Sequence, residues 1–111
     1  MGKSKKFEEL IVWQKAHQLF LKVYKATSKY PKEELFCLES QYRRAAVSVP
    51  AIIAEGYAKT GIRDKLKYYN IAQGSLNECF NYNILSKDLN YFIDAEAENL
   101  MEETGKLLHH I

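Results

Sequence analysis

Cysteine, proline and histidine are scarce in this chain, and none of them is spaced for chemistry. Among 111 residues there are 2 cysteines, 2 prolines and 3 histidines. Cys37 and Cys79 fit no metal or redox motif, so they read as reduced thiols of a cytoplasmic protein. His17 stands alone, and His109 and His110 are neighbours that point to different faces of a helix, so no metal framework follows. Charge of one sign is lacking too. With 16 basic and 14 acidic residues the net is +2, which gives no global argument for a polyanionic partner and leaves the matter to charge arrangement. No apolar run is long enough to span a bilayer. The start, Met1-Gly2-Lys3-Ser4-Lys5-Lys6, has no apolar leader region and lacks the serine or threonine that a myristoylation signal wants at position 6. Strand alternation, internal repeats and low-complexity tracts are absent, and the length suits one domain over residues 1–111 with a flexible basic arm at 1–6.

What is present is helical period. From Phe7 to about Ser28, Trp13, Ala16, Phe20, Val23, Tyr24 and Thr27 form one stripe, ended by Tyr30-Pro31 because the residue before proline is pushed out of the helical region. Pro31 to Cys37 is a connector with one helical turn. A second helix runs from Leu38 to Ala58 or Lys59 with Leu38, Tyr42, Ala45, Val49 and Ile53 on its core face. Its other stripe, Gln41, Arg44, Ser48, Ile52 and Glu55, is polar except at Ile52. Pro50 costs such a helix about 3 kcal/mol, yet both stripes keep their phase across it, so a kink is expected there rather than a stop. Thr60-Gly61 breaks the pattern, Gly61 suiting a left-handed residue after the helix and Thr60 suiting a cap for the next.

The third helix, about Ile62 to Leu89, places Ala72, Leu76 and Cys79 on a seam, with Ile71, Ser75, Tyr82 and Leu85 beside it. Gly74 inside it costs about 1 kcal/mol against alanine, so a close neighbour is expected there. After a turn at Asn90 to Ile93, Asp94 should cap a fourth helix whose stripe is Leu100, Met101, Thr104, Leu107, Leu108 and Ile111. Four amphipathic helices with short connections predict an all-α, antiparallel, up-down-up-down four-helix bundle. A hairpin turning near Gly61 would set Arg44 opposite Glu78, Ser48 opposite Gly74 and Glu55 opposite Lys67. The expected result is a polar network of Gln41, Arg44, Ser48, Glu55 and Glu78, with Arg44 held by Glu78 and Arg43 facing solvent. Such a network specifies packing within or between subunits rather than catalysis. No catalytic residue, cofactor, metal or small-molecule substrate is predicted, and the chain is read as not an enzyme.

Several pieces together resemble the family of four-helix-bundle proteins encoded in intervening sequences of bacterial 23S rRNA genes, often labelled ribosomal. They are Val12-Trp13-Gln14-Lys15-Ala16, Tyr30-Pro31-Lys32-Glu33-Glu34, Gln41, Arg44-Ala45-Ala46, Ser48-Val49-Pro50-Ala51, Ile53-Ala54-Glu55-Gly56, Ala72, Gly74-Ser75-Leu76 and Glu78. The resemblance implies an antiparallel bundle that assembles as a homopentamer, and kinship with retroelement accessory proteins that associate with a reverse transcriptase and nucleic acid. It implies no biochemical activity. The sequence departs from the family pattern at Ile52, where asparagine is usual, at Gln73, where arginine is common, and at Cys37, where glycine is usual.

In an up-down-up-down bundle the N-terminus, the turn between helices 2 and 3 and the C-terminus share an end. That end gathers Lys3, Lys5, Lys6, Lys59, Arg63, Lys65, Lys67 and Lys106 and is net basic, while the opposite end, with Glu33, Glu34, Glu39, Asp88, Asp94, Glu96 and Glu98, is net acidic. Tyr57, Tyr68 and Tyr69 fall near the basic end, where aromatic rings can stack on unpaired bases. The candidate nucleic-acid-binding set is therefore Lys59, Arg63, Lys65, Lys67, Tyr57 and Tyr68. Two readings stay open: an oligomeric accessory protein for RNA or a nucleic-acid-processing protein, or an interaction module that never touches nucleic acid.

Overall fold

The structure, a computed structural model, describes residues 6–110. The basic arm expected before residue 6 and the stripe position Ile111 lie outside the described residues, apart from Lys6, which precedes a 3₁₀ turn over Phe7–Glu9. Four helices follow: α1 Ile11–Thr27, α2 Leu38–Ala58, α3 Ile62–Asp88 and α4 Ala95–His109, with a second 3₁₀ turn at Lys32–Glu34 between α1 and α2. No strand occurs among the described residues.

The expected start of the first helix at Phe7 is corrected to Ile11. Leu10 is extended (φ −71°, ψ 127°) and its N–H turns back to the Phe7 carbonyl at 3.0 Å, which closes the 3₁₀ turn before α1 can begin. The buried face of α1 is also rotated slightly from the expected stripe. Val12, Ala16, Leu19, Val23, Ala26 and Thr27 are buried, whereas Trp13 and Phe20 are half-buried and Tyr24 is exposed. The aromatic rings border the core instead of filling it: Trp13 packs on Phe7 and His17, Phe20 on Tyr24, and Tyr24 under the Arg43 guanidinium.

The core face of α2 is as expected, since Leu38, Tyr42, Ala45, Val49 and Ile53 are all buried. The helix runs through Pro50, itself buried, without interruption. Proline supplies no N–H for the Ala46 carbonyl, and two residues earlier the Ser48 hydroxyl bonds back to the Arg44 carbonyl at 2.8 Å, a contact that bends helices. Gly61 is not left-handed: at φ −87°, ψ 142° it is extended and serves as the uncapped residue before α3, so neither Gly61 nor Thr60 plays the expected capping role. The left-handed residue is Asn90, at φ 60°. There the Tyr91 N–H reaches back to the Ser86 carbonyl at 2.8 Å, closing the end of α3 in the manner of a glycine-terminated helix. Asp94 caps α4 as expected, accepting from the Glu96 and Ala97 amides at 2.8 and 3.3 Å.

Each helix packs on two others, in the cyclic order α1, α2, α3, α4, and the α2–α3 contact is the most extensive. On α3, Tyr69, Ala72, Ser75, Leu76, Cys79, Asn83 and Ser86 are buried, while Ile71 and Leu85, expected beside the seam, are exposed. On α4, Ala97, Leu100, Met101, Thr104 and Leu108 are buried. The close approach predicted at Gly74 is found elsewhere. A Cβ on Gly74 would meet nothing within 4 Å, whereas one on Gly56 would lie 2.9 Å from Tyr68 Cβ and 3.0 Å from Tyr69 Cε1.

Candidate nucleic-acid interface

The α2–α3 turn gathers the predicted basic residues, but it uses them in different ways. Lys65 is committed to structure. Its Nζ donates to the Tyr57 carbonyl at 2.6 Å and lies 5.1 Å from the Tyr57 ring centroid, which satisfies one of the carbonyls left open at the end of α2 and places a cation at the negative end of that helix. Lys59 sits over the half-buried Tyr68 ring, 5.0 Å from its centroid. Tyr69 is buried against Gly56 and is removed from any stacking role. Arg63 and Lys67 are exposed, and neither makes an ion pair among the described residues. Being four residues apart they share a face of α3, where they line a shallow groove with Leu66, Asn70 and Ile71.

The predicted polar network does not assemble within the chain. Gln41, Arg44, Glu55 and Glu78 are exposed and Ser48 is half-buried, and no ion pair or hydrogen bond joins Arg44 to Glu78 among the described residues. Register is the reason. Tyr42 Oη donates to Asn83 Oδ1 at 3.3 Å and Gly56 faces Tyr69, which slides α3 along α2 by nearly one helical turn from a hairpin centred on Gly61.

Arg43, the neighbour of Arg44 and expected to face solvent, is instead the arginine that is held, by the end of α1 and not by α3. Arg43 Nε donates to Thr27 Oγ1 at 2.8 Å, and its terminal nitrogen donates to the Tyr24 carbonyl at 3.1 Å and to Ser28 Oγ at 3.3 Å. The same nitrogen pairs with Glu39 Oε1 at 3.0 Å, and the guanidinium lies 3.9 Å from the centroid of the Tyr24 ring. One side chain of α2 thereby fastens that helix to the C-terminal turn of α1, where the helix dipole favours a cation.

Sequence reasoning missed a second polar chain through the core. Asn83 Nδ2 donates to Glu98 Oε2 at 2.7 Å, and the same carboxylate pairs with Lys87, so Tyr42, Asn83, Glu98 and Lys87 tie α2, α3 and α4 together. The hydrogen bond from Lys87, with that from Asn83, holds the Glu98 carboxyl below the usual glutamate range, and burial pushes the Tyr42 phenol up. Nearby, Tyr30 Oη donates to Ser86 Oγ and Tyr91 Oη to Glu34 Oε2, both at 2.6 Å. The bond to Glu34 pushes Tyr91 up to about 12. The only available signal was an asparagine between Cys79 and Ser86 on the core face of α3, and its partners come from two other helices.

Burial pushes the Cys79 thiol up to about 12, which removes its thiolate at neutral pH. Among the described residues no group of three or more histidine, cysteine, aspartate or glutamate side chains is placed to hold a metal ion, and no helix is long and apolar enough to cross a membrane. No curated protein matches the chain. The family model described as 23S rRNA-intervening sequence protein matches residues 8–111, which takes in all four helices, the Arg43 clasp and the basic turn, and the chain belongs to that family.

Proposed function

We propose that this protein is a non-enzymatic accessory factor of the cytoplasm, a homo-oligomer, on the family resemblance a pentamer, that docks RNA or a ribonucleoprotein with its α2–α3 end. The observation that carries this reading is the pair Arg63 and Lys67, exposed on one face of α3 with no acidic partner among the described residues, and with Lys59 across the turn. Unpaired cations cost nothing to redirect to phosphate, whereas Lys65 would have to abandon the end of α2. The bundle is read as antiparallel, up-down-up-down and bent at Pro50. In support, contacts move down α3 as they move up α2, from Asn83 at Tyr42 to Tyr69 at Gly56.

Assembly is supported by exposed apolar side chains away from the basic turn: Phe36 at 87 % and Ile84 at 56 %, with Leu85, Leu89 and Phe92. Patches of this kind mark contact surfaces. The stripe of exposed Gln41, Arg44 and Glu55 and half-buried Ser48, with exposed Glu78, is then a network between subunits. A ring would multiply the basic turn by its subunit number and so turn a modest charge into a strong electrostatic footprint. The same apolar exposure favours the second reading, an interaction module that docks another polypeptide.

The test is a mobility-shift titration with structured RNA across a salt series. Affinity should fall steeply with salt, and replacing Lys59, Arg63 and Lys67 with glutamate should abolish it while helicity and oligomer mass stay unchanged. Absence of binding at low salt overturns the reading.

A further inference from the structure

Beyond the turn, the outer face of α3 carries a line of carboxamides. Asn70, Asn77 and Asn81 are exposed, recur at helical spacing and span about 16 Å, and none makes a side-chain hydrogen bond among the described residues. Gln73, beside the line, turns instead toward α4, where a Cβ on Gly105 would lie 3.8 Å from its Nε2, and is not part of this face. Asparagine is a poor helix former, because it competes for the backbone. Three of them, uncapped and unbonded in the interior of one helix, weaken α3 without any return inside the chain. Gly74 lies in the same stretch, exposed and with open space where a Cβ would be, so the surface there is flat down to the backbone. The line leads directly from the two free cations, Arg63 and Lys67.

We propose that this face lies along the minor groove of double-stranded RNA, Arg63 and Lys67 holding phosphates while Asn70, Asn77 and Asn81 bond the 2′-hydroxyls. The inference rests on the function proposed above and names the class of nucleic acid. Uncharged amides that both donate and accept match a hydroxyl that does the same. In A-form RNA the minor groove is wide and shallow and displays those hydroxyls, while the major groove is too deep and narrow for side chains. A flat helix face with short amides and a glycine fits the shallow groove. A longer charged row would read phosphate alone.

Fluorescence anisotropy on the full chain decides it, with an RNA duplex of about 20 base pairs, longer than the roughly 16 that a known minor-groove reader spans, and the DNA duplex of the same sequence. RNA should bind roughly tenfold or more tightly than DNA. The triple variant Asn70→Ala, Asn77→Ala, Asn81→Ala should weaken RNA duplex binding by roughly 10- to 100-fold, three hydrogen bonds being lost, and should leave the salt slope unchanged because no charge is removed. Alanine is the better helix former, so the loss cannot come from unfolding. Equal affinity for the two duplexes, or a triple variant that binds RNA as well as the parent, overturns the minor-groove reading while the basic turn stands. A triple variant whose oligomer dissociates overturns it in favour of a contact between copies. No binding of either duplex or of structured RNA at low salt overturns both proposals.

Discussion

Where α2 begins and α3 ends, three tyrosine hydroxyls reach across to Ser86, Asn83 and Glu34, and Arg43 fastens α1 alongside. Where α2 ends and α3 begins, contact is made by bare backbone at Gly56 and by one hydrogen bond, from Lys65 to the Tyr57 carbonyl, while Lys59 stands over a ring and Arg63 and Lys67 stand in solvent. The contrast shows two ways of fixing one helix pair. Directional hydrogen bonds set the register at the first end, since a slip of one residue would break several at once. With the register fixed there, the second end is held by close packing and the single Lys65 bond, and Lys59, Arg63 and Lys67 are not required to hold the fold.

The largest effect that would break this comparison is at Arg43. Arg43→Ala leaves Glu39, 7 % exposed, without its cation and unfastens α2 from the C-terminal turn of α1, so urea unfolding should show a loss of about 2 to 4 kcal/mol. Arg44→Ala, one residue away, should stay within about 0.5 kcal/mol in the isolated chain. Equal losses at the two positions would remove the clasp from the account.

At the other end, Gly56→Ala drives a methyl against Tyr68 Cβ, which is anchored to the α3 backbone and cannot swing away. Thermal unfolding should show a cost of about 1 to 3 kcal/mol. An unchanged midpoint would mean that α2 and α3 separate easily there. Tyr42→Phe tests the hydrogen-bonded end by leaving Asn83 Oδ1 without its donor, and should cost about 1 to 2 kcal/mol.

Glu98 links the same end to pH. Its folded pKa is depressed, by Lys87 first and by Asn83, so its contribution is fully present above the ordinary glutamate range and is lost as pH falls through the folded value. A pH series of unfolding midpoints should decline through the acid range, and Lys87→Met should flatten that decline. The smallest effect is at Gly74, where alanine meets nothing and should stabilise α3 by about 0.5 to 1 kcal/mol. A loss there instead would indicate a neighbour supplied by another subunit.

Helix number, the core face of α2, the Ala72, Leu76 and Cys79 seam and the Asp94 cap were legible in the chain itself, because each depends on residues within a few positions of one another. So was the continuation of α2 through Pro50, which could be read from stripes that stay in phase. Tertiary structure decided what depends on register. Arg43 and Arg44 differ by about 100° around a helix, and only the position of α1 determines which of them reaches Thr27, Ser28 and the Tyr24 carbonyl. Asn83 looks like a flaw in a core stripe until Tyr42 and Glu98 arrive from separate helices to satisfy it. The basic turn was legible as composition, but its division into a structural Lys65 and outward Arg63 and Lys67 followed from where α2 stopped and left a carbonyl to be filled.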